Sequence, residues 1–166
     1  MKIFLIGMPG SGKTTLGKEL ASHLLVEFVD LDLEIEKSEL QSIAEIFTQH
    51  GEDHFRMVEA RLLAEWASGS SAFVMATGGG APCYFGGMET INKSGLSIFL
   101  DVPIPQLTER VSKNQERPLL RGRDEAGLEE KLRSLREQRL ACYHQAKIIV
   151  REPSIDVVLK KISATR

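Results

Sequence analysis

The sequence predicts an α/β domain: a parallel sheet of five strands with helices on both faces. Three observations carry that reading. Short apolar runs alternate along the chain with longer segments whose apolar residues recur at helical spacing. The first apolar run feeds a glycine-rich turn that opens directly into a helical pattern. The chain's unusual residues, clustered glycines and paired aspartates, fall just after the predicted strands, where open parallel sheets bind their ligands.

Lys2 to Ile6 is an apolar run bounded by glycine, as expected of a strand buried on both faces. Residues 7–12 form the turn. Residues 13–25 follow with Leu16, Leu20 and Leu24 on one helical face. Residues 26–29 read as a second strand ending in Asp30-Leu31-Asp32. Ser42-x-x-Glu45 is a capping box that starts a helix. A longer helix over 52–66 carries the stripe Phe55, Val58, Leu62, Leu63 and Trp66. A third strand over 72–76 leads into Gly78-Gly79-Gly80, and Leu96 to Leu100 is a fourth. Helices are expected over 105–112, 125–144 and 154–162, with a short fifth strand from Ile148 to Val150. The charged segment 113–124, interrupted by Pro118 and Gly122, reads as a mobile loop.

Composition narrows the function classes. The 166 residues fit a single domain, and 42% hydrophobic content supports a core without staples. With 21 basic and 23 acidic residues the formal charge is −2, and no long basic run points to general nucleic-acid binding. Cys83 and Cys142 stand far apart, with no CxxC pair and no HExxH motif, so ordinary thiols in a reducing cytosol are expected. The opening apolar run stops at Gly7, too short for a secretory signal, and no apolar stretch is long enough to span a membrane.

The sharpest motif is Gly7-Met8-Pro9-Gly10-Ser11-Gly12-Lys13-Thr14, which fits GxxxxGK[ST] between a strand and a helix. Glycines let successive N–H groups converge on one anion, and the helix start adds partial positive charge. Lys13 can reach the β- and γ-phosphates, and the Thr14 hydroxyl can meet Mg²⁺. Gly10, Ser11, Gly12, Lys13, Thr14 and Thr15 are therefore the expected nucleotide-binding residues, for a nucleoside triphosphate with Mg²⁺ whose base the motif leaves open between adenine and guanine. Asn92-Lys93 is followed by Ser94-Gly95, so no guanine signature is present.

The acceptor is read from less specific features. Asp30 and Asp32 would point to one side if strand extension persisted, one toward Mg²⁺ and the other toward an acceptor hydroxyl. Spacing alone leaves a solvated turn equally open. Glu52, Arg56 and Glu59 share a helix face, where spacing alone favours a surface salt bridge. Three consecutive glycines, Gly78 to Gly80, point to close backbone approach to a ligand. Arg117, among Arg110, Lys113, Arg121 and Arg123, suits a lid over polyphosphate, or else a solvated loop. Most of Arg133, Arg136 and Arg139 are expected at the surface.

Together these pieces resemble the shikimate kinases, within the nucleoside-monophosphate-kinase-like P-loop proteins. The likeness rests on GMPGSGKT, on Asp30-Leu31-Asp32, on Gly51-Glu52 followed by Phe55-Arg56 and Glu59, on Thr77-Gly78-Gly79-Gly80, on Arg117-Pro118-Leu119-Leu120 and on Arg139 followed by Tyr143. The resemblance implies ATP-dependent phosphorylation of the 3-hydroxyl of shikimate, on a sheet of order 2-3-1-4-5. It implies a substrate-binding segment at about 33–61, a lid at about 113–124, and a shikimate pocket of Asp32, Arg56, Glu59, Gly78, Gly79, Gly80 and Arg139. Arg56 and Arg139 would clamp the carboxylate, and Asp32 would meet the ring hydroxyls. Thr14 and Asp30 would serve Mg²⁺. Lys13, Asp32 and Arg117 would be catalytic, with Arg110 and Pro153 at the adenine. A cytoplasmic monomer is expected, acting on small molecules without nucleic-acid or membrane partners. A gluconate kinase of the same fold is the alternative, without the GExxFRxxE and GGG combination. A nucleotide-binding regulator would not need Asp32, Arg56 and Arg139 together.

Overall fold

The computed structural model describes residues 1–113 and 124–165. Among them, five parallel strands form one sheet: β1 (Lys2–Ile6), β2 (Glu27–Asp30), β3 (Phe73–Ala76), β4 (Leu96–Leu100) and β5 (Ile148–Val150). Their order is β2-β3-β1-β4-β5, as expected. Strand β1 is buried on both faces, which is why its sequence is uninterrupted apolar residues rather than an alternation. Phe4 and Ile6 pack with Phe73, Met75 and Phe99 on one side, and Ile3 and Leu5 with Val74, Ile98 and Leu100 on the other.

Helices cover both faces. α1 (Lys13–Leu24) and α7 (Ile155–Ala164) close the layer that holds Leu16, Leu20, Val158 and Ile162. α3 (Ile43–Ser68), α5 (Ile104–Ser112) and α6 (Glu125–Tyr143) close the other, through Leu62, Leu107, Leu132 and Tyr143 among others. Trp66 and Phe4 each meet Phe73 edge-on, with ring centroids 5.5 and 5.4 Å away.

Two helices exceed the sequence reading. α2 (Leu31–Glu39) begins where a strand end had been expected, and α4 (Gly87–Ser94) fills the stretch before β4. Both are too short to show more than two apolar repeats, Leu31 with Ile35 and Met88 with Ile91. α3 is broken at Gly51, whose φ of 82° lies in the left-handed region. The break separates the helix started by Ser42 from the one starting near Glu52, so the two expected segments are two arms of one element. Arg117 and nearly all of the expected lid lie outside the described residues.

The capping box closes as expected: the Glu45 N–H donates to Ser42 Oγ at 3.2 Å and the Ser42 N–H to Glu45 Oε2 at 2.7 Å. Ser42→Ala should therefore cost about 1 kcal/mol of stability. Urea unfolding should show a lower midpoint at unchanged slope.

Candidate active site

The glycine-rich turn leaves β1 and enters α1 through Gly12, in the left-handed region at φ 92°. α1 has no side-chain N-cap and no acid in its first turn, so its leading N–H groups face the turn rather than a carboxylate. Lys13 is buried, and its ammonium donates to the carbonyls of Gly7 at 2.9 Å and Met8 at 3.0 Å. Thr14 and Thr15 are exposed on the first turn of α1.

Asp30 and Asp32 do not extend side by side as a continued strand. The chain turns into α2 after Asp30, which caps it by accepting from the Asp32 N–H at 3.1 Å. The other Asp30 oxygen accepts from Thr14 Oγ1 at 3.1 Å. Hydroxyl and carboxylate so placed are hard oxygen donors of the kind Mg²⁺ takes, few in number because phosphates and water supply the rest. Asp32 points elsewhere: its Oδ1 lies 3.2 Å from where a Cβ on Gly78 would stand.

The acceptor turn shows why three glycines are consecutive. A Cβ on Gly78 would meet Glu59 Oε1, one on Gly79 would stand 2.8 Å from Arg139 Nη1, and one on Gly80 would fall no more than 2.7 Å from three guanidinium atoms of Arg56. The backbone thus makes room for charged side chains. Gly79 also borders the cradle, its Cβ position 3.4 Å from Pro9 Cδ. Tyr143 on α6 donates its hydroxyl to the Gly79 carbonyl and fixes the turn.

The Arg56 and Glu59 pair is not the surface salt bridge that spacing alone favoured. The two residues are 4% and 1% exposed, and Arg56 Nη1 donates to Glu59 Oε2 at 2.8 Å. Arg56 Nη2 reaches the half-exposed Glu52 at 3.3 Å. Glu59 Oε1 and Arg56 Nε are buried without hydrogen-bond partners among the described residues. Burial raises the Glu59 carboxyl to about 7, against the pull of Arg56 and Arg139 and with a further push from Asp32. Arg139 is 6% exposed, unlike its helix neighbours: Arg133 pairs with Glu129 at the surface, and Arg136 with Asp101 at 2.7 Å.

On the far side of the cradle, Arg110 Nη1 donates to the Gly10 carbonyl at 3.1 Å. Arg110, Arg151 and Pro153 line one cleft of about 890 Å³. Sequence reasoning did not single out Tyr84, whose ring covers the Arg56 guanidinium, and it gave no sign that Cys83 and Cys142 would meet. Both cysteines are free, and the neighbouring Cys142 thiol together with burial pushes the Cys83 thiol up.

A phosphate cradle that abuts a pocket of buried arginines and carboxylates, at the strand ends of a 2-3-1-4-5 sheet, defines a P-loop kinase of a small anionic acceptor. A family model described as shikimate kinase matches residues 9–164. A curated shikimate kinase of Bacteroides thetaiotaomicron is 41% identical over 150 residues, 90% of this chain and 85% of its own. A crystal structure of shikimate kinase from the same organism superposes with a TM-score of 0.90 at 37% identity, covering 99% of this chain and 97% of that one. Shikimate kinase from Acinetobacter baumannii in complex with shikimate also gives 0.90, at 33% identity over 99% and 92%. The chain belongs to the shikimate kinase family.

The buried Glu59 makes stability depend on pH. Its folded pKa of about 7 lies above the ordinary 4.5, so its contribution is fully present below pH 4.5 and is lost as pH rises through 7. That rise from 4.5 to about 7 corresponds to roughly 3 kcal/mol. In Glu59→Gln this part of the pH slope should vanish. Unfolding of both proteins from pH 5 to 8 checks it: the stability of wild type minus that of the variant should fall with pH up to about 7 and then level off.

Proposed function

We propose that the chain transfers the γ-phosphoryl group of ATP to the 3-hydroxyl of shikimate, giving shikimate 3-phosphate and ADP. The observation that carries this reading is the convergence of Arg56 and Arg139 on adjacent residues of a turn that borders the phosphate cradle. Guanidinium groups suit a carboxylate, and the carboxylates beside them suit ring hydroxyls. Shikimate carries both groups on one ring.

In this reading Arg56 and Arg139 hold the shikimate carboxylate, and the turn 78–80 forms the pocket floor. The substrate-binding segment, about 33–61, comprises most of α2 and the first part of α3, within a single domain. Asp32 orients the 3-hydroxyl and takes its proton as the new O–P bond forms and the bond to the β-phosphate's bridging oxygen breaks. Lys13 turns from the loop carbonyls to the γ-phosphoryl oxygens, where charge gathers in a loose transition state. Gly10, Ser11, Gly12, Thr14 and Thr15 cradle the phosphates, and Arg110 and Pro153 flank adenine. Thr14 and Asp30 would hold Mg²⁺, which supplies charge neutralisation at the phosphates. The unpaired thiols fit a reducing cytoplasm, and a monomer suffices, since every proposed contact comes from one chain.

An ADP-release assay with shikimate, quinate, gluconate and nucleoside monophosphates tests the function. Release with shikimate alone is expected, and release with gluconate or a nucleotide instead would overturn it. Arg139→Ala should weaken shikimate binding by roughly a hundredfold, the usual scale for stripping a buried charge contact, and leave ATP binding unchanged. Calorimetry with each ligand reads both.

The two aspartates should separate. Asp32→Asn should lower kcat by roughly 10²-fold or more with ATP binding preserved. Asp30→Asn keeps a good helix cap and should instead raise the Mg²⁺ needed for half-maximal rate. A Mg²⁺ titration of both variants distinguishes these roles, and an inverted pattern would exchange them.

A further inference from the structure

Arg56 is held along its edge by carboxylates and on its face by aromatic rings. Nη1 and Nη2 donate to Glu59 and Glu52, at 2.8 and 3.3 Å. Two hydrogen bonds from the outer nitrogens fix an axis, but tilt about that axis needs a third restraint. The Tyr84 ring provides a face: its centroid lies 4.4 Å from Arg56 Cζ, nearer than that of Phe55 at 5.1 Å. Tyr84 stands four residues beyond Gly80, where the chain leaves the acceptor turn, and is 40% exposed. A core role does not account for a ring that open to water. The chain spends strained backbone here, since Phe85, the next residue, has a φ of 48°.

A guanidinium grips a carboxylate through parallel, coplanar N–H bonds, so its plane decides whether the grip forms. The buried Arg56 Nε has no partner among the described residues, which leaves a donor for such a grip. We propose that Tyr84 is a positioning residue for shikimate: its ring face holds the Arg56 guanidinium in the plane that meets the substrate carboxylate and shields that charge from water. The proposal rests on the reading of Arg56 as the carboxylate clamp. It deepens that reading by assigning specificity to a residue outside the pocket floor, because a fixed plane favours a flat carboxylate over a tetrahedral anion.

The test compares Tyr84→Phe, which keeps the ring face, with Tyr84→Leu, which keeps apolar bulk alone. Tyr84→Leu should raise KM for shikimate about tenfold, or ~1.4 kcal/mol, with kcat and KM for ATP within about twofold of wild type. Tyr84→Phe should match wild type throughout. The ring-current shift of the Arg56 Nε–H resonance should persist in Tyr84→Phe and fall in Tyr84→Leu to the part that Phe55 supplies. Equal impairment in both variants would assign the effect to the hydroxyl and overturn the proposal. So would an unmoved shikimate KM in Tyr84→Leu once the Tyr84 part of the ring-current shift is lost, or an equal fall in ATP binding. A wild-type enzyme inert on shikimate would overturn the underlying function, and the proposal with it. That failure is recognisable because the Arg56 resonance would remain shifted.

Discussion

Two opposite charges, Arg56 and Glu59, are buried together under the acceptor turn, and much of the surrounding structure answers to that fact. Buried ions need partners and tight geometry, since their attraction must offset several kcal/mol of lost hydration per ion. The partners sit on one helical face three residues apart, meeting at 2.8 Å. The room comes from Gly78 and Gly80, where any Cβ would collide with the charged atoms. The Tyr84 ring closes the solvent side. A charge pair of this kind is weak evidence for stability, and the pKa of Glu59 near 7 shows the cost of holding it ionised. What the burial supplies instead is an arginine already stripped of water and aimed before any ligand arrives.

The sheet places that arginine relative to the phosphates. β3 lies between β1 and β2, so the chain segments that follow these strands emerge side by side. Leu5 and Asp30 both register with Ala76, the last residue before Thr77. The Thr77 N–H and hydroxyl both donate to the Leu5 carbonyl, at 3.1 and 3.0 Å, which ties the acceptor turn to the root of the cradle. Donor and acceptor subsites are thus fixed by backbone rather than by long side chains. Fixing both reactants on one rigid frame removes the entropy that would otherwise be lost in bringing them together.

The sheet was legible because its strands are buried on both faces and punctuated by glycine or aspartate, and the cradle because its residue types have one job. The acceptor site was legible only through the combination of motifs. The spacing of Glu52, Arg56 and Glu59 says salt bridge and nothing of burial, since burial depends on the glycines about twenty residues later. Asp30 and Asp32 were read with the wrong geometry. The helix that starts at Leu31 sends one carboxylate to Thr14 and the other toward Gly78, a separation that extended backbone would not give. The contacts of Tyr84 with Arg56 and of Cys83 with Cys142 leave no local signal, because each joins segments far apart in sequence and no pattern records it.

Arg56 and Arg139 converge on neighbouring glycines, and without substrate two guanidinium groups so close would repel. Glu59 answers both: each arginine draws its carboxyl down, while burial and the nearby Asp32 push it up. The like-charge repulsion between the carboxylates therefore falls on Glu59, which has no water to spread its charge. In the proposed reading, a substrate carboxylate entering this pocket would add negative charge where the arginines are already partly neutralised, and would compete with Glu59 for Arg56. A counterion ionised weakly near neutral pH is one that a stronger acid can displace. In that reading, the same burial that makes Glu59 costly to the fold would let it yield to the acceptor. Asp32, on a different helix, stands beside Gly78, close enough for its charge to act on Glu59.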